Sequence, residues 1–135
     1  MITIPHGIQD GEMIRLAGAG EAVAKGTPGD LYVKVHVRKH PTIRREGNDL
    51  CATLSILLSD ALLGAEKIVE TLDGQMKVKV PAGTGAGELL RVRGKGVPSA
   101  HGRRGDFLIR VALKTPKRLS QTARRLIEDL RKEGL

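Results

Sequence analysis

Residues 80–113 read VPAGTGAGELLRVRGKGVPSAHGRRGDFLIRVAL, and nearly the same text stands at residues 4–37, IPHGIQDGEMIRLAGAGEAVAKGTPGDLYVKVHV. A shift of 76 residues, without a gap, sets Pro5 on Pro81, Gly7 on Gly83, Gly11 on Gly87, Glu12 on Glu88 and Arg15 on Arg91. The match runs on through Gly18 and Gly94, Gly20 and Gly96, Gly26 and Gly102, Gly29 and Gly105, Asp30 and Asp106, then Val35 and Val111. Most of the shared residues are glycines that would fix turns, so the block is an internal repeat of one structural unit. Between the copies, residues 48–76 supply strands that precede the second copy and have no counterpart before the first. The repeat therefore predicts the tail of one small β-domain (1–39), one complete β-domain (40–116) and a C-terminal segment (117–135). A unit of roughly 75 residues holds a modest core. The half unit has open strand edges that need a partner, in this chain or in a second copy.

The two copies read as strand, Gly-rich loop and strand. Residues 1–4 are expected to form a strand ending at Pro5, Met13 to Leu16 a second one, Ala17 to Gly29 a loop, and Asp30 to Arg38 an alternating, half-buried strand. The polar segment Lys39 to Asn48 is the expected junction between units. Leu50 to Leu58 alternates again, and Ser59 or Asp60 is expected to cap a single helical turn over Ala61, Leu62 and Leu63, which Gly64 ends. Lys67 to Thr71 and Gln75 to Val80 form a hairpin around Asp73-Gly74. After Pro116 the period changes from two to 3.6. Ser120 is the expected N-cap, Ala123, Leu126, Ile127 and Leu130 recur on one face, Glu128 can pair with Lys132, and Gly134 suits the stop. A helix this short is marginal alone, so its stripe must find a surface, either the second sheet or a second subunit. The fold class is mainly β, tandem small sandwich-like domains with the first truncated, followed by a C-terminal α-helix.

Composition narrows the function. The 135 residues carry one cysteine, Cys51, which rules out an internal disulfide and a multi-cysteine zinc site and makes a reducing cytoplasm the expected location. No apolar run has the length of a membrane span, so no membrane partner is expected. The formal charge of +8 raises the possibility of a polyanion partner, but the basic residues are scattered and Tyr32 and Phe107 are the only aromatics. Single-stranded nucleic acid is bound by basic grooves with aromatic platforms, so a basic nucleic-acid module is the weaker alternative. His6, His36, His40 and His101 lack metal-motif spacing, and Ser99, Ser120 and Cys51 have no base at a readable spacing. Gly18-Ala19-Gly20 and Gly94-Lys95-Gly96 have no following helix to cradle a phosphate. Arg104-Gly105-Asp106 spells an adhesion tripeptide, but Asp106 matches Asp30 in a copy with Pro28 in place of the arginine, so a turn explains it. Asp30 and Asp106, each between a glycine and an apolar strand residue, are expected to anchor loop to strand by accepting backbone hydrogen bonds. Neither an enzyme nor a cofactor is indicated.

The segments Ile4-Pro5-His6-Gly7 to Gly11, Ile14-Arg15-Leu16 with Gly18 and Gly20, Gly29-Asp30-Leu31-Tyr32-Val33 and His40-Pro41 resemble the end of the first C-terminal β-domain of bacterial DnaJ-type co-chaperones. Ile43, Arg44-Arg45-Glu46-Gly47-Asn48-Asp49-Leu50, Ala61-Leu62-Leu63-Gly64, Leu72-Asp73-Gly74 and Val80-Pro81 resemble that family's second C-terminal domain. So do Arg91, Arg93-Gly94-Lys95-Gly96-Val97 and Gly105-Asp106-Phe107. The resemblance implies a client-binding and dimerising fragment that holds unfolded polypeptides for the seventy-kilodalton heat-shock chaperone, or else a purely structural dimerisation unit whose client activity resides in the absent front of the first domain. The His-Pro-Asp triplet of a J-domain is absent, His40-Pro41 being followed by Thr42, as is a Cys-rich zinc region, so no ATPase stimulation is expected from this chain. The resemblance places Ile2, Tyr32 and Val33 on the surviving wall of a first-domain client groove. It leaves Leu57 and Leu58 either in an analogous depression of the second domain or packed in core and turn. Leu119, Ala123, Leu126, Ile127 and Leu130 are similar to the family's homodimer interface.

Overall fold

The computed structural model describes residues 1–20, 26 and 28–135. Its elements are β1 (Met13–Leu16), β2 (Leu31–Lys34), β3 (Ile43–Glu46), β4 (Asp49–Leu57), α1 (Leu58–Leu63), β5 (Ala65–Thr71), β6 (Gly74–Val80), β7 (Leu89–Val92), β8 (Phe107–Lys114) and α2 (Gln121–Lys132). The architecture is mainly β, in small sheets, with a C-terminal helix. β1 and β2 make a two-stranded ribbon, β3-β4-β8-β7 a four-stranded sheet, and β5-β6 a hairpin.

The internal repeat is a repeat of structure. β1 pairs antiparallel with β2 so that Met13 faces Lys34 and Leu16 faces Leu31; β7 pairs with β8 so that Leu89 faces Arg110 and Val92 faces Phe107. Each pair of partners is displaced by the shift read in the text. The irregular hydrogen bonds repeat as well. Gly11 donates to Val35 at 2.8 Å and Gly87 to Val111 at 2.8 Å, while Gly20 donates to Gly29 at 2.7 Å and Gly96 to Gly105 at 2.8 Å. The expected loop over Ala17 to Gly29 falls partly on residues 21–25 and 27, which lie outside the described residues.

The second unit has its own core. β4 and β8 run parallel, Leu50 opposite Phe107 and Leu57 opposite Lys114, which requires the long crossover that α1, the hairpin and β7 supply. Period-two alternation turns Leu50, Phe107 and Ile109 inward, where they meet Val78 of the hairpin and Val97. Ile56, Ala61, Val80 and Val111 form a second cluster beside it. Sheet and hairpin thus pack as two layers. No residue before Leu50 is fully buried among those described.

Several expected details differ. Residues 1–4 are not a strand: Val80, the counterpart of Ile4, is held opposite Ala65, and no described strand offers Ile4 an equivalent partner. β2 ends at Lys34 rather than Arg38, since β1 offers it only four partners. The polar stretch Lys39 to Asn48 contains β3, whose charged Arg44 and Glu46 face outward on an edge strand and so mask its period. The hairpin loop is Leu72-Asp73, one residue earlier than expected. Thr71 pairs with Gly74, and neither loop residue has the positive φ that an Asp-Gly type I′ turn demands; Gly74 takes it instead at φ 102°.

Candidate peptide-binding and self-association surfaces

α1 is firmly held and yet covers itself poorly. The helix begins at Leu58, one turn residue before the expected caps, with Leu57 at the N-cap. Leu57 has no side-chain acceptor, so the cap works in one direction only: Asp60 reaches back and accepts from the Leu57 N–H at 3.3 Å. The same carboxylate meets Lys67 Nζ of β5 at 2.9 Å, and that contact, ahead of the Leu57 hydrogen bond and against partial desolvation, holds Asp60 below the usual carboxylate range. At the other end Gly83 and Thr84 donate to the Ala61 carbonyl at 2.8 and 3.1 Å. Ala61 itself is 1% exposed, wedged against Ile56, Val80 and Val111.

One small side chain is all the sheet accepts from this helix. Leu57, Leu58, Leu62 and Leu63 are left 41–81% exposed. Leu57 and Leu58 therefore do not pack in the core, since neither joins a buried cluster; they sit at the turn from β4 into α1. Four large apolar side chains are thus left exposed in one short segment, with Leu58 and Leu62 stacked one helical turn apart. Leu62 and Leu63 were not singled out from the sequence as surface residues, and no sequence signal marks them, since it is the room beside Ile56, Val80 and Val111 that admits only Ala61.

A second apolar feature lies between the edge strand β3 and the hairpin. This groove is lined by Ile43, Ala52, Leu54, Ile68, Val69 and Ile109, with Ile68 exposed at its mouth. The outer face of the four-stranded sheet carries a shallow depression with Arg44, Glu46, Cys51 and Arg110 on its walls. Burial, more than Glu46, pushes the Cys51 thiol up, which keeps it protonated and a poor nucleophile.

In the first unit, Ile2 and Tyr32 are exposed and Val33 is half-buried. Tyr32 and Val33 are consecutive in β2 and point to opposite faces of the ribbon, so they do not line one pocket. Asp30 and Asp106 anchor loop to strand as expected, accepting from Gly18 and Gly94 at 3.1 Å each. Each carboxylate also pairs with the arginine of its copy, Arg15 or Arg91. The Arg104-Gly105-Asp106 string is internal wiring: Arg104 donates to the Gly96 carbonyl and to Asp73.

α2 is capped at both ends. Ser120 Oγ accepts from Ala123 N–H at 3.0 Å, and Gly134, at φ 88°, donates to the Arg131 carbonyl while Leu135 donates to that of Leu130, a complete Schellman closure. Arg124 with Glu128 and Asp129 with Lys132 supply its ion pairs, in place of the expected Glu128 with Lys132. Ala123, Leu126, Ile127 and Leu130 fall within about 100° around the axis at 100° per residue, and Leu119 lies just before the Ser120 N-cap. Ala123 is half-buried, the other four are 38–60% exposed, and no α2 residue enters either core cluster.

Among the described residues no three His, Cys, Asp or Glu side chains come together as a metal site, and no helix is long and apolar enough to cross a membrane. A family model described as DnaJ C terminal domain matches residues 1–116, which takes in both copies of the repeat and stops before α2. Chaperone protein DnaJ 2 of Mycolicibacterium paratuberculosis (strain ATCC BAA-968 / K-10) is 46% identical over 128 residues, 94% of this chain and 33% of that protein. The chain therefore spans about a third of the length of this relative.

Proposed function

The chain belongs to the DnaJ C-terminal domain family, and from that premise we propose that it is the client-holding and dimerising part of a co-chaperone. In this reading it retains unfolded polypeptides in the cytoplasm for the seventy-kilodalton heat-shock chaperone. The observation that carries the proposal is the α1 surface. Leu57, Leu58, Leu62 and Leu63 stay exposed on a helix that Asp60, Lys67 and the Ala61 carbonyl hold in place. A rigid apolar platform gains by covering itself with apolar side chains of a client at roughly 25 cal/mol per Å². Non-directional burial of that kind is indifferent to client sequence, which suits a holder of unfolded chains. Ile2, Tyr32 and Val33 are weaker contacts in this proposal because they do not share a face.

The unit boundaries 1–39, 40–116 and 117–135 remain the working division, supported by the confinement of both core clusters to residues 50–111. Self-association through α2 would place two platforms on one particle and raise avidity for a long client. The test is suppression of aggregation of a chemically denatured protein diluted into buffer. The wild-type chain should suppress it in proportion to concentration, and Leu57→Ser with Leu58→Ser should lose most of that effect while keeping the far-UV spectrum. A double variant as protective as wild type would refute the assignment of the platform.

A further inference from the structure

The side of the four-stranded sheet that turns away from the hairpin has a hollow in it. Leu50, Phe107 and Ile109 point into the core, so alternation sends Cys51 of β4 and Leu108 and Arg110 of β8 outward. Arg44 of β3 and Leu89 of β7 go the same way, because their neighbours Ile43 and Leu90 pack against the core. Register fixes the layout: Arg44 lies beside Cys51 and Cys51 beside Leu108 in one row, Thr53 beside Arg110 and Arg110 beside Leu89 in the next. Between arginines on both sides, β4 thus presents only the short side chains of Cys51 and Thr53. The space left above them is about 340 Å³.

The hollow is positive, and its charge is incompletely matched. Glu46 occupies only Nη2 of Arg44, at 2.7 Å, and leaves the rest of that fork without a protein acceptor among the described residues. Arg91, further along the face, is taken by Asp106. Arg110 is exposed and has no acidic partner among the described residues. Cys51, kept protonated by burial, adds no negative charge to the floor, and the Thr53 hydroxyl offers a further donor. Two guanidinium forks reaching in from opposite sides can use more acceptor oxygens than a carboxylate has. A phosphate supplies three, with about two negative charges. One phosphate does not fill the space, and toward β7 the floor turns apolar, with Leu108 half-buried and Leu89 53% exposed.

We infer that this hollow binds an organic phosphate, its phosphate group held between Arg44 and Arg110 over Thr53 and its apolar body laid on Leu108 and Leu89. The formal charge of +8 favours the approach of such an anion. Glu46 opposes it, and so keeps the affinity below what the two arginines alone would give. The site shares no residue with the α1 platform and does not depend on the co-chaperone reading.

The 135-residue chain is titrated with phenyl phosphate by calorimetry, and the rate at which uncharged iodoacetamide alkylates Cys51 is followed on the same samples. Saturable binding is expected, with alkylation slowed in proportion to occupancy because the ligand covers the thiol. Inorganic phosphate should bind roughly tenfold more weakly, for want of the apolar contact. Arg110→Ala and Arg44→Ala should each lose roughly tenfold in affinity, as removal of a charge-assisted donor fork does. Both side chains are exposed, so the far-UV spectrum should stay that of wild type. Glu46→Gln, which removes the opposing charge, should tighten binding. Lys77→Ala, an equal loss of charge on the hairpin, should leave it unchanged. No saturable binding, Cys51 alkylation unaffected at saturation, or as large a loss in Lys77→Ala as in Arg110→Ala overturns the site. Inorganic phosphate bound as tightly as phenyl phosphate overturns the assignment of an organic ligand.

Discussion

Arg45 Nη2 donates to the carbonyl oxygen of Gly7 at 2.7 Å, across 38 residues of sequence. Its Nη1 reaches the Ile8 carbonyl at 2.8 Å and its Nε the Gly47 carbonyl at 2.6 Å. One planar fork of donors thus ties the turn of the first unit to the β3-β4 turn of the second. An ammonium on a flexible stem cannot reproduce that fork.

Arg45→Ala should therefore loosen the first unit without unfolding the second. Two part-buried, charge-assisted hydrogen bonds lost together correspond to about 1–2 kcal/mol. The Gly11 and Val35 amides, which bond within the ribbon, should exchange with solvent roughly 5–30-fold faster. Arg45→Lys should recover less than half of the protection. Unchanged exchange in Arg45→Ala would show that the clamp is incidental.

The repeat also predicts an asymmetry. Phe107 and Leu31 occupy the same place in the two copies, yet Phe107 is 0% exposed and Leu31 40%. Phe107→Ala should cost about 3–5 kcal/mol in urea unfolding, by lost transfer energy and a cavity. Leu31→Ala should cost about 0.5–1 kcal/mol, since little is packed against it. Similar costs at the two positions would contradict the placement of the core in the second unit alone.

Asp73 sets part of the acid sensitivity. The Arg104 guanidinium at 2.7 Å, and after it Lys95 at 3.3 Å, hold its carboxyl below the usual range, outweighing partial desolvation. Because the folded value lies below the unfolded one of about 3.9, the contribution is fully present above that pH. It is lost as pH falls through the lower, folded value. Asp73→Asn should be less stable than wild type at neutral pH and should show a flatter decline below pH ~4, where wild type surrenders the same interaction. Added salt should narrow the neutral-pH difference, because these groups are exposed. Parallel acid limbs for the two proteins would remove Asp73 from the account.

Much of this arrangement was legible in the text because the repeat compares the chain with itself. Paired Gly, Asp and Arg positions named the turns, and the carboxylates of Asp30 and Asp106 were read correctly as anchors from their neighbours alone. Less legible was anything decided by which surface a neighbour leaves open. A turn of Ala61, Leu62 and Leu63 reads the same whether its leucines are inside or out; the room beside Ile56 and Val111, enough only for Ala61, settles it. Arg45 was read as part of a polar junction because its partners are backbone carbonyls, and carbonyls leave no trace in a sequence. The Glu128 pairing failed for a related reason: on an exposed helix Arg124 and Lys132 both lie four residues from Glu128, at opposite sides, and the text does not rank them.

The α2 stripe supplies the last prediction, on self-association. A capped helix with Leu126, Ile127 and Leu130 exposed on one face, Leu119 exposed just before its N-cap, and no seat in either core cluster, gains by pairing with the same face of a second copy. Sedimentation at micromolar concentration should find the wild-type chain dimeric. Leu126→Asp places a charge in the middle of the stripe and should give a monomer with unchanged melting of the second unit, because α2 contributes nothing to that core. Leu126→Ala should weaken the dimer by about 2 kcal/mol or more, the cost of truncating a well-packed leucine. Arg125→Ala, on the opposite face, should leave it dimeric. A wild-type monomer, or a Leu126→Asp dimer, would mean that the stripe serves some purpose other than pairing two chains.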